Sequence, residues 1–87
     1  MNVIKRDGKI QELNIGKIML SIQKASDDIN APLTQSDIRN LIDDVDRKFK
    51  DIKVKIIPAA QIQDIVYNVL LDNGFNELAE YYNSYKK

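Results

Sequence analysis

The stretch VIKRDGKIQELN, residues 3–14, decides the fold, because two short β-capable runs flank an Asp-Gly pair. Asp7 and Gly8 predict a β-hairpin over residues 2–13, since a type I′ turn requires positive φ at both central positions. If these two residues form the whole turn, three pairs of residues lie opposite each other on the two strands: Arg6 and Lys9, Lys5 and Ile10, and Ile4 and Gln11. A wider turn would shift this register. A lone hairpin is only marginally stable in water, so it must pack on another element.

The helical part of the chain follows from apolar residues at helical spacing, which predict four helices at about residues 15–26, 35–50, 59–73 and 76–86. Asn14 is placed to cap the first helix, and Thr34 with Asp37 gives the second a capping-box-like start. The segment KDIKVKII, residues 50–57, is predicted to be an extended connector that ends at Pro58. The fold class is therefore α+β, mainly α: a single domain over residues 1–87, with an N-terminal β-hairpin packed on a bundle of about four helices.

The composition excludes several classes of function. The 87 residues are 44% apolar and 30% charged, with no net charge, which argues against a whole-molecule field that binds nucleic acid or an anionic membrane. There is no Cys and no His, which removes disulfides, cysteine-based zinc sites and the commonest general base. No apolar run approaches the roughly 20 residues of a membrane span, and no signal peptide is evident, so we expect a cytoplasmic protein.

Four cations lie at or near the hairpin: Lys5, Arg6 and Lys9 around its tip, and Lys17 one turn into the first helix. The exposed N–H groups and the dipole at a helix start favour negative charge. Two interpretations stay open, ordinary solvated surface or a site for an anion such as a nucleoside triphosphate. Only three glycines are present and no Walker or G-x-G-x-x-G sequence occurs, so a glycine loop would not hold the phosphates.

Motifs at both ends of the chain resemble the ATP-cone family. The matching segments are VIKRDG at residues 3–8, ELNIGKI at residues 12–18, the helical triplet Ile62, Val66 and Leu70, and the closing set Ala79, Tyr82, Tyr85 and Lys86. The resemblance covers essentially all 87 residues. It implies a regulatory domain that binds ATP or dATP, has no catalysis of its own and controls a ribonucleotide reductase. It also implies that Mg²⁺ accompanies the triphosphate, held largely by phosphate oxygens and water.

The same resemblance implies which residues form the nucleotide site: Val3 and Ile4 beside the base, Lys5 and Arg6 at the phosphates, Gln11, Asn14 and Lys17 along the nucleotide, and Lys86 at the phosphates in place of an arginine. Lys17 is implied as a further phosphate ligand. Two residues depart from relatives, since some carry Glu at position 11 and a hydroxyl residue near Ala59.

The expected partners are a nucleotide effector and either the catalytic body of a reductase or a second copy of the chain. ATP-cones also occur in a zinc-ribbon repressor of reductase genes, but the sequence has no Cys. We therefore expect a module of a larger reductase, of the anaerobic type on the evidence of its ending LLDNGFNELAEYYNSYKK (residues 70–87), or a free-standing cone. The alternative function is a small helical interaction adaptor without nucleotide binding, whose Tyr-rich last helix packs on a protein partner.

Overall fold

The computed structural model describes residues 1–85 and confirms the predicted fold class, α+β and mainly helical. The elements in chain order are β1 (Asn2–Ile4), β2 (Ile10–Glu12), α1 (Ile15–Asp28), α2 (Gln35–Asp51), β3 (Ile56–Pro58), α3 (Ala59–Asp72) and α4 (Asn76–Tyr85). In the helical bundle, α1 packs on α2 and α4, and α3 packs on the same two helices. The sheet packs on the bundle through Val3 of β1 and Ile57 of β3, which belong to the core.

The apolar stripes of the helices form the core, together with one residue from each of two strands. Its buried members are Val3, Met19, Ile22, Ala25, Leu41, Val45, Phe49, Ile57, Val66, Val69, Leu70, Leu78, Ala79 and Tyr82. Burial of these side chains is the main favourable term in folding. Burial of these side chains determines which face of each helix packs against the core.

The helix ends follow local chemistry. Asn14 caps α1, because its side chain accepts a hydrogen bond from the Lys17 N–H at 3.2 Å. Thr34 and Asp37 form the predicted capping box, with reciprocal bonds of 3.0 and 3.1 Å. α1 continues past the predicted end at residue 26 and ends at Asp28. The chain leaves the helical conformation at Asn30, which has a left-handed φ of 56°.

The observed hairpin register differs from the one that a two-residue turn would give. The three residue pairs predicted from that turn are therefore wrong. The observed pairs are Asn2 with Glu12, Val3 with Gln11, and Ile4 with Ile10. The Lys5 carbonyl accepts from the Gly8 N–H at 2.9 Å, and Gly8 has a φ of +86°. This is a wider loop that ends in a left-handed glycine, as in a hairpin with a bulge. Asp7 keeps a negative φ, so a type I′ turn does not form.

The connector KDIKVKII contains a strand that the sequence did not predict. Ile56–Pro58 forms β3, which pairs in parallel with β1, and the sheet order is β2-β1-β3. A three-residue strand has too few residues to show alternation, and its parallel pairing joins segments far apart in sequence. Ile57 is fully buried beside Val3.

The two faces of the sheet have different surroundings. Val3, with 9% of its surface exposed, and Ile57 face the helical core. Gln11 lies opposite Val3 and therefore shares this inner face. Ile4, 39% exposed, and Ile10 lie on the outer face, away from the helices.

Candidate functional site

The strand directions decide which helix begins beside the hairpin tip. β1 runs toward the tip and β3 is parallel to it, so α3, which follows β3 directly, starts near the tip. β2 runs away from the tip, so α1 starts at the opposite end of the sheet. The sheet therefore has a helix N-terminus at each end of its inner face.

The start of α3 lacks a side-chain cap. Pro58 occupies the N-cap position and makes no side-chain hydrogen bond, and the first turn carries no acidic residue. The N–H groups of a first helical turn have no partner within the helix. Together with the helix dipole they give this end a partial positive charge, which favours an anion. Ala59 in this turn is half-buried and Ala60 is exposed.

A cleft of about 190 Å³ lies between the hairpin tip, the start of α3 and α4, and it is lined by Arg6, Ala59, Ala60, Ile62, Gln63 and Tyr82. Arg6, a cationic residue of the hairpin tip, and the uncapped end of α3 border the same cleft. The arrangement can bind a phosphate or carboxylate group.

Hydrogen bonds join α3 to α4 at the far wall of the cleft. Gln63 donates from Nε2 to the Asn83 carbonyl at 3.0 Å and to its Oδ1 at 3.3 Å, which holds α3 against α4. These bonds leave the Gln63 Oε1 as an acceptor. Tyr82 is only 4% exposed, and burial raises the pKa of its phenol to about 12.

Of the residues that the sequence proposes for a nucleotide site, Arg6 lines this cleft. The Lys5 N–H donates to the Lys9 carbonyl at 2.8 Å, so the strand pairing continues past β1 and alternation places Lys5 on the inner face with Val3. Gln11 shares that face. Ile4 does not, because successive strand residues point to opposite sides.

Two more of the proposed residues lie away from the tip. Asn14 and Lys17 are exposed at the start of α1, at the other end of the sheet, and Asn14 already uses its side-chain oxygen as a helix cap. Neither lines the cleft. Lys86 lies outside the described residues 1–85.

Sequence reasoning missed the residues of α3, and Tyr82 of α4, that line the cleft. Ala60, Gln63 and Tyr82 were not proposed as site residues, and Ala59 was noted only as a departure from relatives. One signal was available: Pro58 precedes two alanines, so no Ser, Thr, Asp or Asn stands where a helix is normally capped. The position of that end beside Arg6 depends on the parallel pairing of β3.

Two tyrosines of the last helix, which the sequence proposed as an adaptor surface, have contacts inside the domain. The Tyr81 hydroxyl donates to Asp28 at 2.9 Å, and Tyr82 is buried. Within residues 1–85, no helix has the length and apolar character needed to cross a membrane. The same residues contain no group of three or more acidic side chains placed to hold a metal ion.

The fold and the cleft define a sheet-capped helical domain suited to an anionic ligand. The chain belongs to the ATP-cone family, since the family model described as ATP cone domain matches residues 1–87. ATP-cones are regulatory domains that bind ATP or dATP as effectors and have no catalytic activity of their own.

Two curated relatives are both named transcriptional repressor NrdR. The protein of Anaplasma phagocytophilum (strain HZ) is 33% identical over 69 residues, which are 79% of this chain and 44% of that protein. The protein of Methylacidiphilum infernorum (isolate V4) is 37% identical over 68 residues, 78% of this chain and 40% of that protein. The matched part thus spans less than half the length of each relative.

Proposed function

We propose that this chain senses ATP and dATP in order to control a ribonucleotide reductase. The observation that carries the proposal is the cleft in which Arg6 meets the uncapped N-terminus of α3, in a chain that matches the ATP-cone family throughout. A triphosphate needs several donors from different elements, and this cleft supplies a guanidinium and main-chain amides. Charge-assisted hydrogen bonds to such donors are each worth about 1.5–3 kcal/mol.

The cleft suits the polyphosphate better than a whole nucleotide. Its volume of about 190 Å³ is below the roughly 300–1,000 Å³ typical of pockets that enclose small ligands. We place the phosphates at Arg6 and α3, with Lys5 beside them. The nucleoside then extends along the sheet, past the exposed Gln11, toward Asn14.

This placement ranks the proposed site residues. We no longer propose Ile4 as a nucleotide-site residue, because it lies on the outer face of the sheet. Lys17 lies at the nucleoside end, so its contribution to phosphate binding is expected to be smaller than that of Arg6. Mg²⁺ would arrive with the triphosphate, coordinated largely by phosphate oxygens and water.

Calorimetric titration with ATP and dATP tests the proposal. Arg6→Ala should weaken both nucleotides by about 10- to 150-fold, the equivalent of roughly 1.5–3 kcal/mol. Lys9→Ala is the matched control, because Lys9 is an exposed cation of the same hairpin that does not line the cleft. Absence of binding by the unmodified chain, or equal losses in the two variants, would overturn the proposal.

A second candidate is a role in a transcriptional repressor, which the names of the two relatives favour. Deleting the segment that encodes this chain from its source organism separates the two roles. If the chain regulates the reductase enzyme directly, reductase transcripts should stay constant while inhibition of the enzyme by dATP is lost. If the chain belongs to a repressor of reductase genes, those transcripts should rise.

A further inference from the structure

The turn between α3 and α4 contains the only Asn-Gly pair of the sequence, Asn73 and Gly74. The main-chain nitrogen that follows an asparagine can attack the side-chain amide carbon, and glycine hinders this attack least because it has no Cβ. Gly74 is exposed and has a φ of +84°, with open space where a Cβ would stand. The pair therefore has the chemistry of a deamidation site, at an exposed turn.

Hydrogen bonds hold both reacting groups while the turn is closed. The half-buried Asn73 donates from Nδ2 to Asp44 Oδ2 at 2.9 Å and to the Val69 carbonyl at 2.8 Å. Both partners only accept, so the amide must face them with its nitrogen. The Gly74 N–H donates to the Leu71 carbonyl at 3.0 Å. The leaving group and the attacking nitrogen are thus both engaged, which opposes the reaction in the closed turn.

We propose that Asn73 is a modification site, whose amide is converted to a carboxylate when the turn between α3 and α4 opens. The Gly74 nitrogen loses its proton to solvent base and bonds to Asn73 Cγ, the Cγ–Nδ2 bond breaks, and Nδ2 takes up a proton and leaves as ammonia. Water then opens the cyclic imide at either carbonyl and returns a proton to the Gly74 nitrogen, which leaves aspartate or isoaspartate at position 73. Nothing is oxidised or reduced, and the proposal does not depend on nucleotide binding.

The modification weakens the junction of α2 with α3. A carboxylate at position 73 cannot donate, so Asp44 loses a hydrogen-bond donor and faces a like charge instead. The new charge also lies at the C-terminal end of α3, where the helix dipole is negative and the last turn contains no basic residue. Arg47 pairs with Asp44 at 3.3 Å, but its side chain is 71% exposed, so it offsets only part of the repulsion. The cleft beside Arg6 lies at the other end of α3 and should keep its shape.

Peptide mass spectrometry after incubation at mildly alkaline pH tests the site. Conversion should occur at Asn73 and not at Asn68, which lies in the same helix but precedes the branched Val69. A free peptide of residues 70–77 should convert at least about tenfold faster than the folded chain, because the folded chain reacts only from its opened turn.

Asp44→Ala is the decisive variant, because it removes one of the two acceptors that hold the Asn73 amide. It should raise the rate of conversion by about tenfold. Asp43→Ala is the matched control, since Asp43 is an exposed neighbour in α2, and it should convert like the unmodified chain. Thr34→Ala destabilises α2 at its other end, so it separates release of the amide from a loss of overall stability and should raise the rate less than Asp44→Ala.

Three results would each overturn the proposal. They are a folded chain that converts as fast as the peptide, equal rates in Asp44→Ala and in either control, and no conversion of the folded chain after about a hundred times the period that the peptide needs.

Asn73→Asp measures the consequence of the modification directly. It should lower the Tm by about 6–12 °C, whereas Asn68→Asp, at an exposed position of the same helix, should change it little. An unchanged Tm in Asn73→Asp would refute the weakened junction. If Asn73→Asp does not fold, the conversion rates of the unmodified chain and of the Asp44→Ala variant decide.

Discussion

Replacing Ala60 by glutamate should stabilise the domain and weaken nucleotide binding at the same time. Ala60 is exposed in the first turn of α3, which has neither an acidic residue nor a side-chain cap. A carboxylate there gains about 0.3–1 kcal/mol from the helix end, less a few tenths for the lower helix propensity of Glu. A net gain of about 0.5 kcal/mol raises the Tm of a domain of this size by about 2–4 °C.

The same carboxylate stands in the cleft proposed for the phosphates. Two like charges about 4 Å apart repel by about 1 kcal/mol in water and about 4 kcal/mol at an effective dielectric constant of 20. We therefore expect ATP affinity to fall at least about tenfold, which corresponds to roughly 1.4 kcal/mol. The loss should shrink as ionic strength rises, because salt screens exposed charges. Calorimetric titration and thermal melting in one buffer give both quantities.

Gln61→Glu is the matched control for this experiment. Gln61 is exposed in the same turn but does not line the cleft, so its variant should gain similar stability and lose less affinity. An Ala60→Glu variant that melts higher yet binds ATP as before would show that the phosphates are not at α3. Equal losses of affinity in both variants would point to a general charge effect.

Three further predictions concern the α2 cap, a buried phenol and effector discrimination. Thr34→Ala removes half of the capping box with Asp37 and should cost about 1 kcal/mol, lowering the Tm by about 4–8 °C; an unchanged melting curve would contradict it. The pKa of Tyr82 is raised from 10.0 to about 12, so its contribution to stability is complete below pH 10 and falls as pH rises toward 12; denaturant titrations should show that fall, and Tyr82→Phe should reduce it. Gln11→Ala should change the ratio of ATP to dATP affinity, whereas Arg6→Ala should weaken both equally, since the two nucleotides differ only at the ribose; the opposite result would reverse the proposed orientation.

The helices were predictable because their signals are local. Asn14 and Thr34 mark helix starts, and apolar residues at helical spacing mark the buried faces. Gly74, with a φ of +84°, follows the end of α3 as the Asn-Gly pair suggests. Each of these features depends on residues within about one helical turn of one another, and tertiary packing agrees with them.

The hairpin turn and the cleft were not predictable in the same way. Asp7 and Gly8 suit both a two-residue turn and the wider loop, and the observed loop uses only Gly8 at positive φ. The cleft requires β3 to lie parallel to β1, a pairing between residues more than fifty positions apart in sequence. Without that pairing, nothing local in the sequence places the start of α3 beside Arg6.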